Sequence, residues 1–244
     1  MEFKNVTIAI FAVDELESLK KTVEAILSLC KKDDIKEIII MLSEYTPEAC
    51  IAVARGIVEE YPEYDIKIMF PEKGNRSSAY TKVISAASGS HLITVSADLS
   101  INLDTAPEYI RLSKENPDKI ITASRWLQKG SYIGYPKWRY IVNFLSQKLF
   151  GVMFFVKYTD ITNAHKLMPL DIVKDINLTE KGYNITLELT LKLIRLGVKF
   201  IEVPCKCYKR TEGKSHNSVW KMAYYYITAL KVRFMRKKDI KFKS

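Results

Sequence analysis

Apolar runs without polar alternation recur along the first half of the chain, each followed by a segment of helical periodicity. "NVTIAIFA" is a β-rich apolar run, and in "ELESLKKTVEAILSLC" Leu16, Leu19, Val23, Ile26 and Leu27 fall on one helical face. "EIIIML" reads as a second buried strand. Thr46 is placed to cap a helix beginning at Pro47, with Ile51, Ala54, Ile57 and Val58 as its inner stripe. "DIKIMF" predicts a third strand, "RSSAYTKVISAAS" a helix and "HLITVS" a fourth strand. A helix from about Asp104 and a strand "KIITAS" complete the series.

Such strands, separated by amphipathic helices, predict an α/β fold: a mostly parallel sheet covered on both faces, with right-handed crossovers. Ligands of such sheets bind outside the carboxyl ends of the strands. That rule places Ala12, Val13, Asp14 and Glu15, then Ser43 and Glu44, Asn75, and Ser96, Ala97 and Asp98 on one rim. The stretch "TVSADLS", Thr94 to Ser100, lies there. Two carboxylates one residue apart at a strand end would hold a divalent ion and a diphosphate; here Ser96 stands first and Asp98 is the one acid.

The last third changes character. A long amphipathic helix is expected from Pro136 to Phe155, then an irregular stretch "YTDITNAHKLM". "NITLELTLKLIRLG" reads as a helix closed by Gly197, and "KFIEVPCKCYKR" as a strand limited by Pro204. The basic loop "RTEGKS" leads into a terminal helix from about Ser218. No internal repeat appears. The reading is one domain: a main unit over 1–216, and an amphipathic helix with a basic tail over 217–244 as its elaboration.

Composition narrows the class. The chain has 244 residues, 48% hydrophobic and 27% charged, which describes a globular protein with a full core. Cys30, Cys50, Cys205 and Cys207 form no C-x-x-C pair, so a reducing, cytoplasmic setting is expected, with no structural zinc. No signal peptide is visible, and no apolar stretch reaches the ~18 residues of a membrane span. A formal net charge of +10 favours anionic partners. "KVRFMRKKDIKFKS" concentrates that charge, and the preceding Trp220, Tyr224, Tyr225, Ile227, Leu230, Phe234 and Met235 suit a membrane interface. Peripheral attachment of this helix to an anionic membrane surface is therefore expected. No nucleic acid partner is expected, since no aromatic–basic module or helix-turn-helix is evident.

Several stretches together resemble the family 2 glycosyltransferases of the GT-A fold. They are "IAIFAVDELESL", "IIIMLSEYT", "SADLS", "TASRWLQKG", "YPKWRYIVNFLSQKLFG", "DITNAHKL" and above all "GYNITLELTLKLIRLGVKFIEVPCKCYKRTEGKS". The dolichyl- or polyprenyl-phosphate mannosyltransferase-like branch is the most similar. The resemblance implies inverting transfer of a sugar from a nucleotide sugar to a polyprenyl phosphate. It implies donor binding by Ala12, Val13, Asp14, Glu15, Ser43, Asn75, Ser96, Ala97 and Lys214, with Asp98 holding Mg²⁺ or Mn²⁺. Arg125 and Arg139 become the acceptor-phosphate clamp, joined by Asn143, Ser215, Asp160 and Glu188; Arg210 reaches the donor diphosphate. Asp14 and Glu15 equally suit an N-cap and first-turn acid, and Glu202 and His165 read as structural.

The chain departs from the family pattern at Ser43, Ser90 and Ser96. Two alternatives follow: a glycosyltransferase with a hydroxyl acceptor on a glycan, or a catalytically degenerate GT-A protein that binds nucleotide sugar or a partner subunit.

Overall fold

The computed structural model describes residues 1–72, 76–180, 182, 184–210, 212 and 219–242, without the side chains of 76, 77 and 219–222. The expectations for Asn75, Lys214, Ser215 and the Trp220 ring lie outside that description. β1 (Val6–Phe11), β2 (Ile35–Met41), β3 (Ile66–Met69) and β4 (His91–Ser96) alternate with α1 (Glu17–Leu29), α2 (Glu48–Glu60) and α3 (Arg76–Ala86). There follow α4 (Ala106–Glu115), β5 (Ile120–Ser124), β6 (Tyr132–Ile133), α5 (Lys137–Phe154), β7 (Lys166–Pro169) and α6 (Leu170–Val173). The chain continues through α7 (Asn184–Arg195), β8 (Phe200–Pro204), β9 (Cys207–Tyr208) and α8 (Val219–Phe234).

One sheet carries the order β3-β2-β1-β4-β7-β5-β8, parallel except for β7, which runs antiparallel to β4 and β5. The unbroken apolar runs are explained by burial on both faces. Ile8, Ile10, Ile38 and Ile40 pack with Leu19 and Val23 of α1 and Ile57 of α2. Their neighbours Ala9, Ile39 and Met41 pack on the opposite face with Tyr80 and Val83 of α3 and Leu189 of α7. Each fully buried large side chain contributes about 1.5–3 kcal/mol. A third cluster joins Phe150 and Phe154 of α5, Leu187 and Leu191 of α7, and Ala229 and Val232 of α8, so the C-terminal helix packs onto the main unit.

Four local expectations are corrected. The Thr46 side chain does not cap α2; its hydroxyl accepts the N–H of Ser43 at 2.8 Å, and Pro47 stands at the cap position. The stretch read as irregular ends in β7, whose first residue, Lys166, is buried although charged. The strand expected from Lys199 to Arg210 is two strands, because Pro204 ends β8 and β9 pairs with β6 in a separate ribbon. Neither Asp14 nor Glu15 caps α1. The Glu212 carboxylate does so from far along the chain, accepting the N–H groups of Leu16 at 3.0 Å and Ser18 at 3.2 Å.

The β1–β2–β3 edge is tied by Glu37, buried in β2. Its carboxylate accepts the hydroxyl of Thr7, the N–H and hydroxyl of Ser88, and the Lys67 ammonium, each at 2.7 Å. Burial alone would raise its pKa; the hydrogen bonds from Lys67, Ser88 and Thr7 outweigh it and bring it down to about 2. A depressed folded-state pKa stabilises above the unfolded value and is lost as pH falls through the window from 4.5 to about 2. Urea denaturation between pH 7 and pH 3 is expected to show this acid limb. Glu37→Gln should flatten it and lower stability at pH 7 by about 2–3 kcal/mol.

Candidate active site

β1, β2 and β4 end level, since Phe11 stands opposite both Met41 and Ser96. Ala12 and Ala97 extend the pairing by donating to the carbonyls of Met41 and Phe11, each at 3.0 Å. The chain then turns. Asp98 Oδ1 accepts the Ser100 N–H at 3.0 Å, and Leu99 takes a left-handed φ of 51°, a conformation costly for a branched side chain. Asp98 is only 1% exposed, and its Oδ2 lies 2.8 Å from Arg210 Nε. Tyr208 of β9 donates to the Ser100 carbonyl at 2.8 Å, which ties the strand leading to Arg210 to the same turn.

Arg125 follows β5 and is gripped by Asp160: Nε to Oδ2 at 2.6 Å, Nη2 to Oδ1 at 2.7 Å and the backbone N–H to Oδ2 at 3.0 Å. Burial works against its charge, and the Asp160 carboxylate overcomes that cost and keeps the guanidinium protonated. Asp160 is itself fixed by Glu202 of β8, which accepts the N–H groups of Thr159 and Asp160 at 2.8 Å. Arg139 stands in the first turn of α5, its guanidinium 5.3 Å from the Trp138 ring, with no carboxylate partner among the described residues. Asn143, one turn on, accepts the Tyr132 hydroxyl at 3.1 Å.

These elements enclose a cavity of about 270 Å³. Of the residues expected from sequence, Ser96, Asp98, Arg125, Arg139, Asn143 and Arg210 line it. Val13 and Asp14 are exposed on the rim outside it, and Glu15 is buried, accepting the Val13 N–H at 2.6 Å. Ser43 is held in its own turn by Thr46. Asp160 stands behind the wall as the anchor of Arg125 rather than in it.

Glu188 is a further expectation that the geometry does not bring to the cavity. It accepts the N–H groups of Thr179 and Glu180 and pairs with Lys192 at 2.6 Å, so it holds the 179–180 segment. Thr186, two residues earlier and so on a different side of α7, lines the cavity instead.

Sequence reasoning missed the aromatic wall of Tyr80, Tyr132 and Tyr135, and it read His165 as structural although that residue lines the cavity. The Nε2 atom of His165 is buried without a hydrogen bond, and burial lowers the ring's pKa to about 4, so it is neutral at pH 7. The signal available was its place in "DITNAHKL", a short polar stretch between two buried elements.

The glycosyl transferase family 2 model matches residues 7–176. The chain belongs to glycosyl transferase family 2. An undecaprenyl-phosphate mannosyltransferase of Micrococcus luteus is 26% identical over 102 residues, 41% of this chain and 42% of that protein. The match thus spans under half of that relative's length. Among solved structures, glucosyl-3-phosphoglycerate synthase from Mycobacterium tuberculosis, in complex with Mn²⁺, UDP and glucosyl-3-phosphoglycerate, superposes with a TM-score of 0.66. It is 14% identical, and the match covers 94% of this chain and 80% of that one. The same enzyme with phosphoglyceric acid gives 0.68 at 13% identity, over 96% and 81%. The fold is the GT-A glycosyltransferase fold.

The neighbour with UDP and glucosyl-3-phosphoglycerate holds Mn²⁺, which prompts the question of whether this family 2 member has the donors for it. Both Asp98 oxygens are engaged, one by Arg210 and one by Ser100, and Ser96 and Ser100 add only neutral hydroxyls. No cluster of three His, Cys, Asp or Glu exists among the described residues. This set does not make a divalent-cation site by itself. Mn²⁺ alone is therefore expected to leave Tm unchanged, whereas Ser96→Asp, supplying the second carboxylate, should give a Mn²⁺-dependent rise in a thermal-shift assay. For the second arginine, Arg125→Ala should cost about 3–5 kcal/mol in denaturant unfolding, because Asp160 is left buried and unpaired. Removing both partners should cost less than that.

Proposed function

We propose that the chain moves a sugar from a nucleotide-sugar donor to a polyprenyl phosphate with inversion. The observation that carries this reading is the charge of the cavity wall. Arg125, Arg139 and Arg210 line it, and Asp98, the one acid among its described lining residues, is already paired. A hydroxyl acceptor needs a free carboxylate or comparable base to take its proton. A phosphate acceptor needs none, because it is an oxyanion at neutral pH, and it needs guanidinium groups to hold it.

In the proposed step an acceptor phosphate oxygen attacks the anomeric carbon. A new carbon–oxygen bond forms while the bond to the diphosphate breaks, and the nucleoside diphosphate leaves with the electron pair. Arg210 meets the charge that develops on the leaving group, and Arg139, with no carboxylate partner among the described residues, positions the acceptor. Ser96 and Ser100 offer hydroxyl contacts to the donor. The similarity to an undecaprenyl-phosphate mannosyltransferase supports the acceptor class, although phosphoglyceric acid occupies the solved neighbour. The donor's sugar and base are left to experiment.

The test is a matrix of labelled nucleotide sugars against undecaprenyl phosphate, dolichyl phosphate and phosphoglyceric acid. Labelled product in the organic phase is expected with a polyprenyl phosphate. Product with phosphoglyceric acid alone would overturn the acceptor class. Arg139→Gln is expected to lower kcat by about 10²–10³ with an unchanged Tm, since that side chain makes no ion pair among the described residues.

A further inference from the structure

Among the described residues, four buried side-chain polar atoms have no hydrogen bond: Ser113 Oγ, Trp126 Nε1, His165 Nε2 and Lys166 Nζ. Of these four residues, His165 alone lines the cavity, and it is 4% exposed. A buried polar atom left unpaired costs about 1–3 kcal/mol, so a fold that keeps one beside a cavity calls for a partner there.

The ring is held in place from several sides. The His165 N–H donates to Asn163 Oδ1 at 3.0 Å, and the His165 carbonyl accepts the Ala123 N–H at 3.1 Å. The imidazole meets the Tyr109 ring edge-on, with centroids 5.1 Å apart. Tyr109 belongs to the apolar cluster that contains Val95 and Leu103, and those two residues also line the cavity. Burial and then the neighbouring Lys166 lower the pKa to about 4, so the ring is neutral at pH 7. This part of the wall is therefore apolar, with one uncharged nitrogen set in it.

That setting selects the chemistry of the partner. A neutral imidazole nitrogen is a donor in one tautomer and an acceptor in the other. An ionised phosphate oxygen meets only the donor, and guanidinium groups serve it better. A hydroxyl both donates and accepts, so it satisfies Nε2 in either tautomer. A sugar ring presents hydroxyls at its edge and C–H groups on its faces, which suits one polar anchor among apolar side chains. We propose that His165 is a sugar-selecting residue whose Nε2 hydrogen-bonds one hydroxyl of the sugar carried by the nucleotide donor. This rests on the nucleotide-sugar reading and adds the group that tells one sugar from another. A ring with its pKa near 4 is a weak base, so it binds the hydroxyl and does not take its proton. A site built to pair with a hydroxyl rejects an analogue that lacks it, because the buried partner is left unmatched.

The experiment is calorimetric titration of the full chain, His165→Phe and His165→Gln. The probes are UDP-glucose, GDP-mannose, ADP-glucose and dTDP-glucose, each beside its parent diphosphate. His165→Phe keeps a ring against Tyr109 and removes both nitrogens. It should weaken the nucleotide sugar that binds by about tenfold, and its parent diphosphate by less than about twofold. Its Tm should hold or rise, since an unpaired buried atom is gone. His165→Gln, which keeps a hydrogen-bonding terminus, should recover part of the loss. Among single-deoxy analogues of that sugar, one should bind about tenfold more weakly to the native chain and no more weakly to His165→Phe, as a direct contact requires. Equal weakening of diphosphate and nucleotide sugar would assign the ring a structural role and overturn the proposal. Undiminished sugar affinity in His165→Phe would overturn it too, leaving Nε2 to a water. Binding of none of the probes would overturn the nucleotide-sugar reading and this proposal with it, whereas transfer to phosphoglyceric acid alone overturns only the acceptor class.

Discussion

The buried pair of Arg125 and Asp160 is the constraint on which the candidate site depends. Asp160 receives three hydrogen bonds from Arg125 and is itself held by Glu202, so β5, β8 and the segment before β7 are locked at one point. Buried charges are tolerated only when fully paired, and this cluster obeys that rule closely. Lys166, next to it on β7, has no hydrogen bond, and burial lowers its pKa to about 7. Its ammonium is thus easily given up, which limits the net charge held in the interior. Thr162 and Asn163, just before the antiparallel strand β7, line the cavity beside this network.

The strands were legible because burial on both faces removes polar alternation, and that pattern is local. α5 and α7 were legible for a similar reason, with Gly197 at a left-handed φ of 81° closing the latter. The features that sequence did not reveal are those set by distant partners. Glu212 caps α1 across 194 residues, a contact that no window of sequence encodes. β7 carries a buried lysine in a polar stretch, so hydropathy reads it as loop. Glu188 lies on an almost wholly buried helix, where every acid looks functional until its partners are known; Lys192 and the 179–180 amides account for it.

The candidate site was legible to a different degree at each residue. The rim followed from topology alone, because ligands of parallel sheets meet the carboxyl ends of strands. That rule located Ser96 and Asp98 correctly but could not separate residues that line the cavity from those that merely end a strand. Ser43 and Glu15 are of the second kind, each consumed by its own turn. The arginines came from the family resemblance, and the geometry separates them in a way the resemblance did not. Arg125 is committed to a carboxylate, Arg210 is shared with Asp98, and Arg139 lies over the Trp138 ring with no carboxylate partner among the described residues.

That inequality makes the Asp98–Arg210 pair the responsive part of the cavity. Arg210 is partly exposed while Asp98 is not, so the guanidinium is the partner that an incoming diphosphate can engage. An anion that drew Arg210 away would leave a buried carboxylate without its counter-charge, a state that costs several kcal/mol. Anything that returns positive charge to Asp98 therefore favours the anion, and the anion favours it in turn, because linkage between binding events is reciprocal. A second carboxylate at position 96 would shift that balance toward a cation held before the nucleotide arrives. With Ser96 there instead, Arg210 is the resident positive charge, and the replacement that looked like a loss sets the order in which charges are exchanged.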